Sequence, residues 1–482
     1  MRIFVFYIMF FIIQPLDSLP FNVWSEPDKF VDAVEYRNWL VFGLDPLWGS
    51  NLPSDMMAHW DDFRNLYSAE ASITAVGYWL TAMCIGEYRG WMDYTTAYDK
   101  CMKVLWEFDP INPNHLIQTD GWYFHWYARY DVTLWGTLYK AREPSGDRNS
   151  IYPVFDEPQF IAGVYIIYSY FYGTELSLRA KRILEEVQWW RWMNPAGYNI
   201  GYSENVLIFP IAGTSTNLYN RGRNKGWWEA TSSQRHQNWI NRGPLYLLQY
   251  PWNYWDGREK TDGVGRNHHQ IAQQATWQQK YDCWQLNIKN PTEYNTYGEH
   301  RWGLSFGAHS TNGVYAMYPN SDDPNNLFIT DAGSLVPATL AGSMSFHPYY
   351  TLRCMQTIYT DFANRPWGEM IWLDGEGYNG GWINTFNIGT VLSGQIGFYR
   401  QVSSNYDIGA SMIGCENYRS GFVWKWFQRF PGMKDFMIEM GFSGTGMNYW
   451  DDKQDNFDDG ADPNLWNGSL FYWNDIDKSG VI

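Results

Sequence analysis

The chain has 482 residues and a formal net charge of −16, and its 29 Trp, 36 Tyr and 27 Phe make it about twice as aromatic as ordinary usage. No Pro/Gly/Ser-rich linker or charge block divides it before residue 443, which favours one large domain. The acid excess and the lack of a basic stripe interleaved with aromatics exclude nucleic acid as a natural partner.

Met1-Arg2, the apolar run Ile3 to Ile13, Gln14-Pro15 and Ser18 read as an export signal over residues 1–18. The run is shorter than a bilayer requires, so no membrane span is expected after cleavage, and a secreted or periplasmic location follows. An uncleaved anchor is the alternative. Ala71 to Ile85 is apolar at three- and four-residue spacing, Gly86 to Gly90 punctuates, and a second amphipathic run begins at Asp93, which together predict a helical hairpin. Comparable runs predict helices at Gln159 to Tyr172, Leu176 to Trp192, His269 to Asn287, Tyr349 to Phe362 and Asn417 to Phe427. No fixed repeat is visible, which disfavours a solenoid. Helix pairs with long aromatic loops suggest a closed ring of hairpins and a cleft where the loops gather. Residues 25–442 would form this domain, and the acidic, aromatic segment 443–482 a loosely ordered tail. Asp458-Asp459-Gly460-Ala461-Asp462 offers oxygen ligands but lacks the spacing of an EF-hand loop, and no metal site is assigned. The five cysteines, Cys84, Cys101, Cys283, Cys354 and Cys415, have no metal-type spacing and read as small buried residues, with a Cys84 to Cys101 bridge open if helices bring them together.

Flat rings with a polar edge suit sugar rings, whose axial hydrogens form an apolar face. Hydrolysis of a glycosidic bond requires two carboxyl groups facing one cleft, one to protonate the leaving oxygen and one to activate water or attack carbon. Asp156 and Glu157 stand at a predicted helix start, where the helix dipole favours an ionised acid; simple capping is the alternative. Asp374 and Glu376, beside flexible glycines, Trp372 and Tyr378, could hold sugar hydroxyls, act as a substitute acid pair or form a solvated turn. His268-His269 lacks a third ligand for zinc, and no nucleophile elbow or phosphate-cradling loop occurs.

Several strings in order resemble the glucoamylase-like family that includes bacterial endo-β-1,2-glucanases. They are Pro46-x-x-Gly49 with Asp55, Ile73-Thr74-Ala75-Val76-Gly77, Phe209-Pro210-Ile211-x-Gly213, Tyr297-Gly298-Glu299-x-x-Trp302-Gly303-Leu304, Val336 to Met344, Trp367-Gly368-Glu369, Asp407-x-Gly409 and Glu416-Asn417-Tyr418-Arg419. The resemblance runs from about Asp28 to Phe442 and implies an all-α (α/α)6 barrel that acts on a neutral oligo- or polysaccharide, most plausibly a β-1,2-glucan, as a monomer and without a cofactor. It implies a cleft loop carrying Tyr297, Glu299 and Trp302, with burial the alternative for Trp302, and a direct polar role for Asp407, with Tyr406 beside it. Glu416 and Arg419, three apart on a predicted helix, read as a bidentate ion pair that fixes the helix against its neighbours. Two positions depart from the family. Pro153 stands where it carries an Asp, three residues before Asp156, and Thr216 stands where it carries a Glu. Glu204 could compensate for Thr216 if its loop folds inward. A hydrolase using a pair drawn from Asp156, Glu157, Glu204 and Asp407 and a catalytically silent glucan binder both fit, and a surface-interaction role for the tail is a further possibility.

Overall fold

The computed structural model describes residues 19–444 apart from 20, 46, 48–49, 59–69, 117–122, 135–136, 145–152, 189–203, 215–224, 227, 230–244, 293, 306, 309–314, 317–332, 363–371, 376–377, 383–384, 392–394 and 401. The expected export signal and nearly all of the tail lie outside the described residues; Ser443–Gly444 pairs antiparallel with Lys260–Thr261. In chain order the helices are α1 (Pro27–Gly43), α2 (Ile73–Tyr88), α3 (Tyr94–Trp106), α4 (Pro153–Tyr170), α5 (Glu175–Glu186), α6 (Ile208–Gly213), α7 (Tyr246–Tyr254), α8 (His268–Lys289), α9 (Pro337–Ala341), α10 (Pro348–Phe362), α11 (Asn405–Arg419), α12 (Phe422–Gln428) and α13 (Met433–Glu439). A 3-10 turn, Glu204–Leu207, leads into α6.

Burial sorts these helices into two rings. Nearly every described residue of α2, α4, α6, α7, α9 and α11 is covered, whereas α1, α3, α5, α8 and α10 each keep a wet face. Around the inner ring, α2 packs on α4, α4 on α6, α9 on α11 and α11 on α2, while α7 meets the turn before α6 and also α11. The outer helices pack on these: α1 against α11 and α2, α3 against α2, α5 against α4, α8 against α7 and α10 against α9. This is an (α/α)6 barrel. Side-chain caps fix the helix starts where the sequence supplies them. Ser72 accepts from the Ala75 N–H, Asp93 from Thr96, Thr174 from Ser177 and Asn267 from Gln270, each satisfying a donor that the first turn leaves free.

The α2–α4 crossing is closer than side chains permit. A Cβ on Gly77 would lie 2.2 Å from the Gln159 carbonyl oxygen, and one on Gly163 would lie 2.4 Å from that of Gly77. Both obstacles are backbone, so Gly163→Ala must push two inner helices apart. Overpacking of this kind costs about 1–3 kcal/mol, and urea denaturation should show a loss of at least that size.

The run that begins at Glu416-Asn417-Tyr418-Arg419 does not continue as one helix. Gly421, at φ 67°, ends α11 and starts α12, so the expected helix from Asn417 to Phe427 is corrected to a break that only glycine adopts without strain. Beyond it, α12 lies across the barrel against α4, α7 and α11. Asn417 ties this floor together: its Oδ1 accepts from the Val423 and Trp424 N–H groups, and its Nδ2 donates to the Asn253 carbonyl. Glu416 and Arg419 fix α11 as expected, but through other helices rather than each other. Glu416 accepts a bidentate pair from Arg89, which caps the C-terminus of α2, at 2.7 and 2.9 Å, and Arg419 binds Glu35 and Asp32 on α1, each at 2.6 Å.

The glycine-rich material after Trp372 forms antiparallel ribbons, with 372–375 paired to 378–382 and 385–391 to 395–400. All five cysteines are free and buried, including Cys84 and Cys101, so no bridge forms between that pair. Among the described residues no helix is long and apolar enough to cross a membrane.

Candidate active site at the inner helix starts

The inner helices run in one direction, so their N-termini share one end of the barrel, opposite the α12 floor. Hydrogen bonds join those starts directly: Thr74 of α2 to Asp156 of α4, and Thr339 of α9 to Asp407 of α11. This end also carries the loop before α2. Arg129, fully buried, donates to Asp45 of this loop at 2.6 Å and to the Leu52 carbonyl at 2.9 Å, while Asp45 accepts from the Ser54 N–H. Asp55 is thereby held at the mouth, its N–H bonded to the Glu70 carbonyl.

Asp407 lies in the first turn of α11 and is almost completely buried. The Thr339 hydroxyl donates to its Oδ1 at 2.9 Å and the Ser305 hydroxyl at 3.4 Å. Those bonds favour the carboxylate, but burial outweighs them and pushes the group up from 3.8 to about 7. A carboxyl poised there can either give or take a proton near neutrality. Tyr406, the preceding residue, is partly exposed and donates from its phenol to Asp55 Oδ2 at 2.8 Å. Burial raises Asp55 to about 6, against the pull of its bonds from Ser72 and Tyr406. Tyr250 of α7 sits within the field of Asp407 and packs edge-on to Tyr78.

Asp156 stands on the other side of Asp55. It is not a helix cap: Oδ1 accepts from the Thr74 hydroxyl at 2.8 Å, and Oδ2 lies 3.3 Å from His125 Nδ1, with both side chains partly exposed. His125 stacks on Trp126 at 3.6 Å, and its charge also reaches Asp55. Asp55, His125, Asp156 and Tyr406 thus form one cluster, and Tyr250 lies within the field of both Tyr406 and Asp407.

Several sequence expectations are corrected here. Glu157 does not pair with Asp156, because consecutive helical residues point in different directions. It is fully buried beside Tyr123, whose N–H it accepts at 3.3 Å, and burial holds its carboxyl well above the usual range. Such a group folds best protonated, so its contribution is lost as pH rises through its raised value. Glu157→Gln is therefore expected to fold at least as stably as wild type at pH 8, with an unchanged glucan response. Trp302 and Tyr297 are buried and offer no ring face to a ligand, which decides Trp302 for burial. Glu299 is exposed, but its charge acts on Lys280 and His300 at the outer wall rather than on Asp407. Glu204 opens the turn before α6, and Trp372 and Asp374 lie on a ribbon strand; their side chains, with Glu376 and Thr216, lie outside the described residues. Sequence reasoning missed His125, Thr339, Ser305, Tyr250 and the role of Asp55. Only Asp55 and Thr339 carried a signal, since both fall in the quoted strings.

Residues 198–431 match the family model described as "Glycoamylase: Putative glucoamylase". The glucoamylase-like resemblance is borne out. Among solved structures, one from Bacteroides caccae ATCC 43185 with the same glucoamylase description aligns at TM-score 0.67 and 20% identity, covering 86% of this chain and 99% of that one. An endo-β-1,2-glucanase from Chitinophaga pinensis, in complex with sophorotriose and glucose, aligns at 0.65 and 19%, covering 86% and 98%. A mutant endo-β-1,2-glucanase from Talaromyces funiculosus, in complex with β-1,2-glucan, aligns at 0.54 and 10%, covering 84% and 87%. At these identities the likeness establishes the glucoamylase-like fold. Among curated proteins none matches the sequence.

Proposed function

We propose that the protein is an exported glycoside hydrolase acting on a neutral glucan, with a β-1,2-glucan as first choice, in the cleft at the inner helix starts. The observation that carries this reading is Asp407, a buried carboxyl raised to about 7 and fixed by Thr339 and Ser305, at a helix start where an ordinary cap would be wet and ionised. In this reading Asp407 and Asp156 touch the substrate and share the acid and base roles, and Tyr406, oriented by Asp55, positions a sugar hydroxyl. The β-1,2 linkage is drawn from the Chitinophaga pinensis and Talaromyces funiculosus glucanases, which share the fold.

A second reading, a glucan binder without turnover, is favoured by Thr216, which stands where the resemblance implies a Glu. Release of reducing ends from a panel of β- and α-glucans separates the two. The hydrolase reading predicts release from β-1,2-glucan that Asp156→Asn abolishes with folding intact. Affinity without release supports the binder, and neither affinity nor release overturns both.

A further inference from the structure

The outer wall between α8 and α10 holds positive charge that no described residue neutralises. Lys280, in the middle of α8, is 8% exposed, yet among the described residues its amine has neither an ion pair nor a hydrogen bond. It lies over ring faces, 4.7 Å from the Tyr350 centroid and 5.7 Å from that of Trp284. Among the described residues Arg353 of α10 likewise has no carboxylate partner and its buried Nε no acceptor, while its guanidinium lies over Trp24 at 4.6 Å. His300, on the loop before α9, has a buried Nδ1 without a partner, and the charges of Lys280 and Arg353 both act on it. His347 is lowered to about 4 by burial and by the charge of Lys280, which shows that this charge reaches it as well. The only acid whose charge reaches both Lys280 and His300 among the described residues is exposed Glu299, which forms no ion pair with either, while Arg301 is engaged by Asp361 at 3.8 Å.

A largely covered lysine whose ammonium has no paired charge is costly, and an anion offsets that cost. The surroundings narrow its nature. Beside Lys280 on α8, Tyr281 meets Trp284 edge-on and lies parallel to Trp277, with centroids 5.4 Å apart and planes 11° apart. Trp277 is 40% and Tyr281 39% exposed, so their rings remain open to solvent. Open parallel rings suit the apolar face of a sugar, and cations with unused donors suit a carboxylate.

We propose that this wall is a second saccharide site, separate from the cleft, that takes an acidic sugar. The carboxylate is received by Lys280, Arg353 and His300, and an adjoining sugar unit stacks on Tyr281 and Trp277. The site does not depend on the hydrolase reading.

Calorimetric titration of the full chain with an oligosaccharide of β-linked glucuronic acid tests it, with a neutral β-1,2-gluco-oligosaccharide and sodium acetate as comparisons. The acidic oligosaccharide is expected to bind, to weaken as salt rises, and to lose at least tenfold in affinity in Lys280→Met, a change that keeps the side chain's volume. Trp277→Ala, on an exposed face that bears no folding load, should lose a comparable amount. Neutral oligosaccharide should bind both variants as it binds wild type. Equal affinity of the acidic ligand for wild type and both variants, or its competition with the neutral ligand for one site, would overturn the proposal. Acetate binding as tightly as the oligosaccharide would overturn the saccharide assignment.

Discussion

Asp407→Asn is expected to make the protein more stable and to abolish its function. Raising a buried carboxyl from 3.8 to about 7 corresponds to roughly 4 kcal/mol of discrimination against its charged form. Because the folded value lies above the unfolded one, the stability associated with Asp407 is complete below about pH 4 and is lost as pH rises through about 7. The amide carries no charge at any pH, and its oxygen can accept the same two hydroxyl protons that Oδ1 accepts from Thr339 and Ser305. The variant should therefore match wild type near pH 4 and exceed it by about 1–4 kcal/mol at pH 8 in urea denaturation. Turnover should fall by about 10²–10⁴, the usual worth of a positioned acid or base. A variant less stable than wild type at pH 8 would mean that Asp407 is ionised and satisfied, a structural group.

Arg89→Met acts at the opposite end of the barrel and in the opposite direction. Glu416 and Glu35 are both completely buried, and Glu35 is held above the usual carboxylate range by burial and by Glu416, against the pull of Arg419 and Arg89. Removing the Arg89 guanidinium strips Glu416 of its bidentate partner while Glu35 stays beside it. Breaking a buried pair in this way costs about 3–5 kcal/mol, since the charge left behind is uncompensated. Adding Glu416→Gln should recover most of that loss, a coupling that a double-mutant cycle measures. A single-variant loss below about 1 kcal/mol would show that the network carries little of the floor's stability.

Particular residues show what the sequence made legible. The hairpin from Ala71 and the run at Gln159 could be read because inner helices are apolar on all sides and outer ones on a single face, patterns set by local spacing. Ser420-Gly421 was read through because the apolar period continues across it; only the φ of 67° at Gly421 reveals that the chain turns. The ribbons after Trp372 were hidden by glycines that carry no alternation. At the site, Asp407 could be named from a motif, but its raised pKa arises from burial contributed by α7, α9 and the loop at Ser305, which no local pattern encodes. His125 was invisible for the same reason. It reaches Asp156 from a segment thirty-one positions earlier in numbering, and nothing in its neighbours marks it. The pairing of Asp156 with Glu157 failed on geometry, because adjacency in sequence is divergence on a helix.

The most direct test of the account is the titration of Asp407 itself. Carboxyl resonances of protein labelled with ¹³C at aspartate Cγ, compared with those of Asp407→Asn, isolate this one group. The account predicts an apparent pKa near 7 in the free protein that moves when β-1,2-gluco-oligosaccharide is added. A value in the ordinary range near 4, unmoved by the oligosaccharide, would contradict it.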